Sequence, residues 1–308
     1  MGKWGNGEIR NQKSKIEMKR LMVMLGIWGI GTGAFGQDLV AIEDSLLMYY
    51  TQLSSATLNA DRDSASAKMK TFFIESFNNP ETFDYAFSKL RFCTIKSSDN
   101  LVRLFNWNQP NEDGTYKYHC FILRKIVKGK KQITYDWFEL TQAKREADKI
   151  ESKYLNADKW IGALYYDIIP VGKKNVDTYV LLGWEGKDDV TTRKMIDAIE
   201  FTGNNVRLGA NIFKTATGTQ KRVIYEYSND ISMSIKFYPK KNCIVMDHLS
   251  PKNPMMQGVF ADYGPDGTYC LFKLEKDKWE YIDDISISEF VEGDDRPFVD
   301  PRPNRRRR

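Results

Sequence analysis

The feature that most narrows the fold of this 308-residue chain is a change of hydrophobic period near Arg91. Before it, apolar residues recur every three or four positions. Leu39, Ile42, Leu46, Tyr49, Tyr50 and Leu53 make one such stripe, and Met69, Phe72, Phe73 and Phe77 a second. That spacing places them on single faces of amphipathic helices. Asn78-Asn79-Pro80 then interrupts. Asn79 suits the cap of a third helix with Pro80 at its first position, carrying Phe83, Phe87 and Leu90. After Arg91 the period falls to two. Tyr116, Tyr118, Cys120 and Ile122 alternate with Lys117, His119, Phe121 and Leu123, and Ile133, Tyr135 and Trp137 repeat the pattern after a Gly-Lys-Lys turn. These are strand signals. Further short strands are expected over residues 160–169, 178–184, 222–227, 232–238, 243–249, 259–263, 269–273 and 279–282, which argues for antiparallel sheet. Two helices are expected as insertions, one over 141–154 and one over 191–199. The fold class is α+β: a helical segment over 37–90, then a predominantly antiparallel β-rich body over 91–291.

The two ends stand apart from this body. Residues 21–30, LMVMLGIWGI, follow Lys19 and Arg20 and lead to Ala34-Phe35-Gly36. A positive start, an apolar core of about 7–15 residues and a small-x-small exit describe a secretory signal peptide. Residues 1–36 are assigned to it, with Gln37 as the first mature residue and Met18 as a start that would make the leader compact. An uncleaved anchor wants about 20 apolar residues, and this run is shorter and glycine-rich. The membrane is therefore expected to matter only before cleavage, and the mature chain to be periplasmic or extracellular. At the other end, residues 292–308 mix acid, proline and arginine and close on four arginines. No periodicity survives there, so disorder is expected.

The overall charge, 46 basic minus 41 acidic residues or +5, misleads about the body. Residues 1–36 hold six Lys/Arg and two Asp/Glu, which leaves 40 − 39 = +1. Removing Arg302 and Arg305 to Arg308 gives 35 − 39 = −4. A nucleic-acid groove needs clustered basic residues on the fold itself, so nucleic acid is not an expected partner. Cys93, Cys120, Cys243 and Cys270 all follow the leader. In an oxidising compartment an even count permits two disulfides, and three pairings are possible. Equal separations make Cys93–Cys120 and Cys243–Cys270 the first choice, against the reading of four buried free thiols.

Chemistry leaves few marks. Asp247, His248 and Ser250 lie close in sequence, but a triad is defined by geometry, and neighbours in a strand point to opposite faces. They are kept as weak catalytic candidates. His119, beside Lys117 on one strand face, reads as a partly exposed surface histidine. No zinc-binding spacing or phosphate loop occurs, and no metal or cofactor is expected. Residues 262–267 lack the ligands of a calcium loop and read as turns. The Asp-Gly-Thr-Tyr of 113–116 recurs at 266–269, which predicts two similar hairpin turns. Among the tryptophans, Trp160 and Trp184 are the candidates for stacking on a sugar or a partner protein.

The phrases KWIGALYYDIIPV, YVLLGWEGKDD, TTRKMIDAIEF, MDHLSP and YGPDGTY, taken with the leader, resemble a group of uncharacterised exported proteins of Bacteroidota. The resemblance implies export and carries no activity. The function expected from all of this is a non-catalytic binding or structural module of the cell envelope, with an envelope glycan or envelope protein as partner. The alternative is an exported hydrolase assembled around Asp247, His248 and Ser250.

Overall fold

The protein is described by a computed structural model over residues 32–129, 132–144, 149–172 and 177–290. The apolar run of the expected leader, and the tail over 292–308 for which disorder is expected, lie outside the described residues. Two antiparallel helices, α1 (Thr32–Ser55) and α2 (Asn59–Ser76), open the described chain. Their apolar stripes meet a sheet of four antiparallel strands, β1 (Thr94–Lys96), β2 (Val102–Pro110), β3 (Tyr116–Lys128) and β4 (Gln132–Leu140), in simple sequential order. Leu46, Leu53, Met69 and Phe73 pack there against Phe105, Trp107, Phe121 and Leu123.

Because side chains alternate across a strand, the other face of that sheet is equally apolar and needs its own cover. Val102, Leu104, Tyr118, Cys120 and Ile122 bury against a second antiparallel sheet. It contains β5 (Leu155–Asn156), β6 (Leu164–Pro170), β7 (Thr178–Glu185), β8 (Thr191–Thr202) and β9 (Asn205–Leu208), in the order β5-β9-β8-β7-β6. A third sheet covers the far side of the second. Its strands are β10 (Phe213–Thr215), β11 (Gly218–Gln220), β13 (Ile235–Tyr238), β14 (Cys243–Pro251), β15 (Tyr263–Glu275) and β16 (Lys278–Ile282). The intervening β12 (Val223–Ser228) returns to pair with β8 in the second sheet. Leu182, Ile196 and Ala198 face Ile244, Met246 and Phe272 across this interface. A last small cluster of Cys243, Val245, Leu271 and Phe290 closes the outer face of the third sheet. Apart from the return of β12, chain order becomes layer order: helices, sheet one, sheet two, sheet three.

This layering corrects both inserted helices. Residues 191–199 belong to β8, a central strand buried on both faces, with Met195 and Ile199 toward the first sheet and Ile196 and Ala198 toward the third. Two-sided burial removes the polar alternation that marks a strand, and the remaining apolar run imitates a helix. Over 141–154 the described residues form loop and one short 3₁₀ turn, Ile150–Ser152. The carbonyls a helix would use are taken elsewhere. Arg222 donates to the carbonyls of Ile150 and Lys153, and the Lys221 amide donates to that of Glu151 at 2.8 Å.

The third helix is also cut short. Asn79 caps as expected, accepting from the Glu81 amide at 2.9 Å, but only a 3₁₀ turn, Pro80–Phe83, follows. The buried Arg103 of β2 donates to the carbonyls of Thr82, Phe83 and Tyr85 at 3.2, 2.9 and 2.6 Å. The Lys89 amide goes to the buried Glu43 of α1 at 2.8 Å. With the Tyr85 carbonyl and the Lys89 amide both diverted, the α-helical bond between them cannot form. Phe87 takes a left-handed φ of 46° at the break. Finally, residues 259–262 form the turn between β14 and β15 and not a separate strand.

Candidate functional site

The same Arg103–Glu43 clamp shapes a groove on the described surface. The 3₁₀ turn and the chain after it are held against β4, leaving an open groove of about 470 Å³ lined by Pro80, Glu81, Asp84, Tyr85 and Tyr135. Phe83, in the same 3₁₀ turn, is fully buried, and its ring lies 5.7 Å from that of Tyr135. The ammonium groups of Lys96 and Lys125 stand 4.9 and 5.3 Å from the Phe83 centroid. Both also pair with Asp84, at 2.9 and 3.4 Å. The hydrogen bond from Lys96 holds the Asp84 carboxyl below the ordinary carboxylate range. Tyr85 donates its hydroxyl to Glu43 at 2.9 Å, and burial with that carboxylate pushes its pKa up to about 12. Tyr85 is thereby fixed as a neutral ring in the groove wall.

Tyr135 and Trp137 are two apart on β4 and therefore share its helix-facing side. Trp137 is 37% exposed and packs its ring 5.6 Å from Phe77. Half-exposed aromatic faces beside carboxylates can take the apolar face of a sugar ring while accepting hydrogen bonds from its hydroxyls.

The aromatic residues singled out from sequence do not contribute to such a surface, which corrects that assignment. Trp160 is wholly buried and donates Nε1 to the Tyr165 hydroxyl at 3.0 Å. It is one end of a buried chain that continues from Tyr165 to Asp197 and from Asp197 to Arg222. Trp184 is 2% exposed and edge-on to Tyr116. Both lie in or beside strands of the second sheet, where a large aromatic fills the space between layers. Tyr135 and Trp137 were visible as alternating residues after the Gly-Lys-Lys turn. What sequence did not show is that β4 is an edge strand.

The histidine site is assembled differently from the sequence expectation. Asp247 and His248 diverge, and Asp247 turns inward to accept the Ser234 amide at 2.7 Å. His248 Nδ1 instead meets Asp266 Oδ2 at 2.7 Å. Ser250 is two residues along the same strand, its backbone in register with Gly264. The Asp266 carboxylate also accepts the Thr268 amide and hydroxyl at 3.0 and 2.7 Å, and its pKa is depressed. Asp113 binds Thr115 in the same way, at 3.1 and 2.6 Å. The two Asp-Gly-Thr turns therefore share local geometry but not a role. The first closes the β2–β3 hairpin, whereas the second is a bulge within β15 between its pairing positions Pro265 and Tyr269. The prediction of two hairpin turns is corrected accordingly.

His119 is more enclosed than a surface histidine. Its ring stacks on Trp107 at 4.9 Å, its Nε2 is buried without a hydrogen-bond partner, and burial lowers its pKa to about 3. Cys93, Cys120, Cys243 and Cys270 are all free and buried. Each belongs to a different core cluster, so a sheet separates the members of both favoured pairs. In β14 and β15, moreover, Cys243 stands opposite Lys273 and Cys270 opposite Met246. The disulfide expectation is corrected on these grounds. Among the described residues no group of three or more His, Cys, Asp or Glu is placed to hold a metal ion, and no helix is long and apolar enough to cross a membrane. Comparison of the chain with protein-family models, curated proteins and solved structures finds no match.

Proposed function

We propose that the protein is a non-catalytic, exported binding module whose ligand is a glycan of the cell envelope, held in the groove between Pro80–Phe83 and β4. The supporting observation is that Tyr85 and Tyr135 line one groove with the carboxylates of Glu81 and Asp84, and that the exposed Trp137 follows Tyr135 on the same face of β4. The groove is shallow, which suits a polymer lying across it better than a small molecule enclosed by it. The leader expected over residues 1–36 supports an extracytoplasmic partner. In a co-sedimentation assay with purified envelope polysaccharide, the mature chain is expected to bind. Tyr135→Ala and Trp137→Ala should each weaken binding by about tenfold, the equivalent of about 1.4 kcal/mol and in the range of one aromatic contact. Absence of binding, or affinity indifferent to both changes, rejects the reading.

A second reading, hydrolysis at His248, draws on the 2.7 Å contact with Asp266, which could orient an imidazole as a general base. Ester or glycoside turnover that disappears in His248→Ala while glycan binding persists would favour it.

A further inference from the structure

The first sheet ends at β4, and that edge is unlike the other strand edges among the described residues. Exposed strand edges invite pairing with another chain, and proteins ordinarily blunt them by shortness, proline, lysine or a bulge. β1 has three residues and carries Lys96, β5 has two, and β11 has three. β13 has four, includes Lys236 and is followed by Pro239. β6 is bulged between Tyr165 and Asp167 and ends in Pro170. β12 is met by the 3₁₀ turn Phe260–Asp262. β4 runs for nine residues, QITYDWFEL, in unbroken register with β3 and with no lysine or proline. Among the described residues, the backbone of 132–139 makes no hydrogen bond outside the β3 ladder. The edge also carries apolar surface: Ile133 is 49% and Trp137 37% exposed, and the neighbouring Val127 of β3, opposite Ile133, is 53% exposed.

We infer that β4 is a dimerisation edge that pairs antiparallel with β4 of a second copy of this chain, joining two four-stranded sheets into one of eight strands. The occupant is argued from self-complementarity. A twofold axis perpendicular to the sheet keeps like faces together, so residues of the same parity must oppose one another. Centring the axis on Tyr135 sets Ile133 against the partner's Trp137 and Thr134 against the partner's Asp136, each pair occurring twice. Shifting the centre to Asp136 would place two carboxylates face to face, which is disfavoured. The pairing covers Ile133 and brings two copies of the Tyr135–Trp137 surface side by side on one face. It does not depend on what that surface binds.

The test is sedimentation equilibrium of the mature chain over a wide concentration range, with three single variants. The wild type is expected to dimerise reversibly. Ile133→Lys should weaken the dimer at least tenfold. Thr134→Asp, which opposes two carboxylates, should weaken it, whereas Thr134→Lys, which opposes the partner's Asp136, should tighten it. Both positions are exposed, so near-UV circular dichroism of all three variants should match the wild type. A wild type that stays monomeric throughout, or a dimer indifferent to all three changes, overturns the inference. A dimer weakened by Ile133→Lys but equally affected by both Thr134 variants would overturn the register centred on Tyr135.

Discussion

Arg103, Glu43, Asp197 and Arg222 are charged residues with at most 4% exposure, and each terminates main-chain groups that regular structure leaves unpaired. Arg103 and Glu43 shape the groove, and Arg222 with Asp197 fastens the 150–153 loop to the second sheet. A buried charge is tolerated only when partners surround it, so these residues are scaffolding for irregular segments. His119 is the contrasting case, a half-buried base kept neutral. Desolvation acts first on it, assisted by Lys70 and Lys117 and opposed by Asp63. With the folded pKa near 3 and the unfolded value near 6.5, the unfolded chain binds more protons between those limits, so stability falls as pH drops through that window. Urea unfolding should show a loss of about 2–3 kcal/mol from pH 7 to 4.5 attributable to this site. His119→Gln should remove that part of the acid limb. An unchanged pH slope in the variant would show that the ring protonates freely in the folded state.

At the scale of elements, turns are set where layers approach closely. Gly209, at the junction between β9 and β10, has φ +90°. A Cβ there would lie 2.9 Å from Arg222 Nη2 and 3.2 Å from the Lys153 carbonyl. Gly129, in the β3–β4 turn, also has positive φ (+61°) but nothing within 4 Å. Gly129→Ala should therefore destabilise by only the left-handed backbone penalty, about 1 kcal/mol. Gly209→Ala adds displacement of the buried guanidinium and should lose on the order of 3 kcal/mol. Equal denaturation midpoints for the two variants would show that the Arg222 anchor yields without penalty. β4 and β8 illustrate how position in a sheet governs what a strand's sequence looks like. The edge strand kept its alternation and was recognisable, whereas the doubly covered strand resembled a helix.

For the whole molecule, stacking three sheets behind one helical layer creates four separate cores and distributes one cysteine to each. Burial pushes every thiol up, Cys243 and Cys270 to about 11. Intact mass under non-reducing conditions should show four reduced thiols that resist iodoacetamide in the native state and react together on unfolding. Native-state labelling, or a mass lower by two hydrogens per bridge, would contradict the layered arrangement. A chain starting at Gln37 keeps Leu39, a buried side chain of α1, and lacks residues 32–36 of that helix.

Sequence alone determined the features that depend on local period and local chemistry. The two helices, the shift to antiparallel strands after Arg91, the cap at Asn79 and the alternating face of β4 follow from spacing and side-chain hydrogen bonding within a few residues. Tertiary structure decided everything that depends on what lies across a layer. Trp160 and Trp184 became core because the first sheet covers the second, Tyr118 and Tyr116 of β3 meeting their rings, and His248 found Asp266 because a bulge in the neighbouring strand presents it. The cysteines were separated because alternate strand faces belong to different cores. A groove formed where Arg103 and Glu43, distant in sequence, withdrew the hydrogen bonds that would have continued a helix.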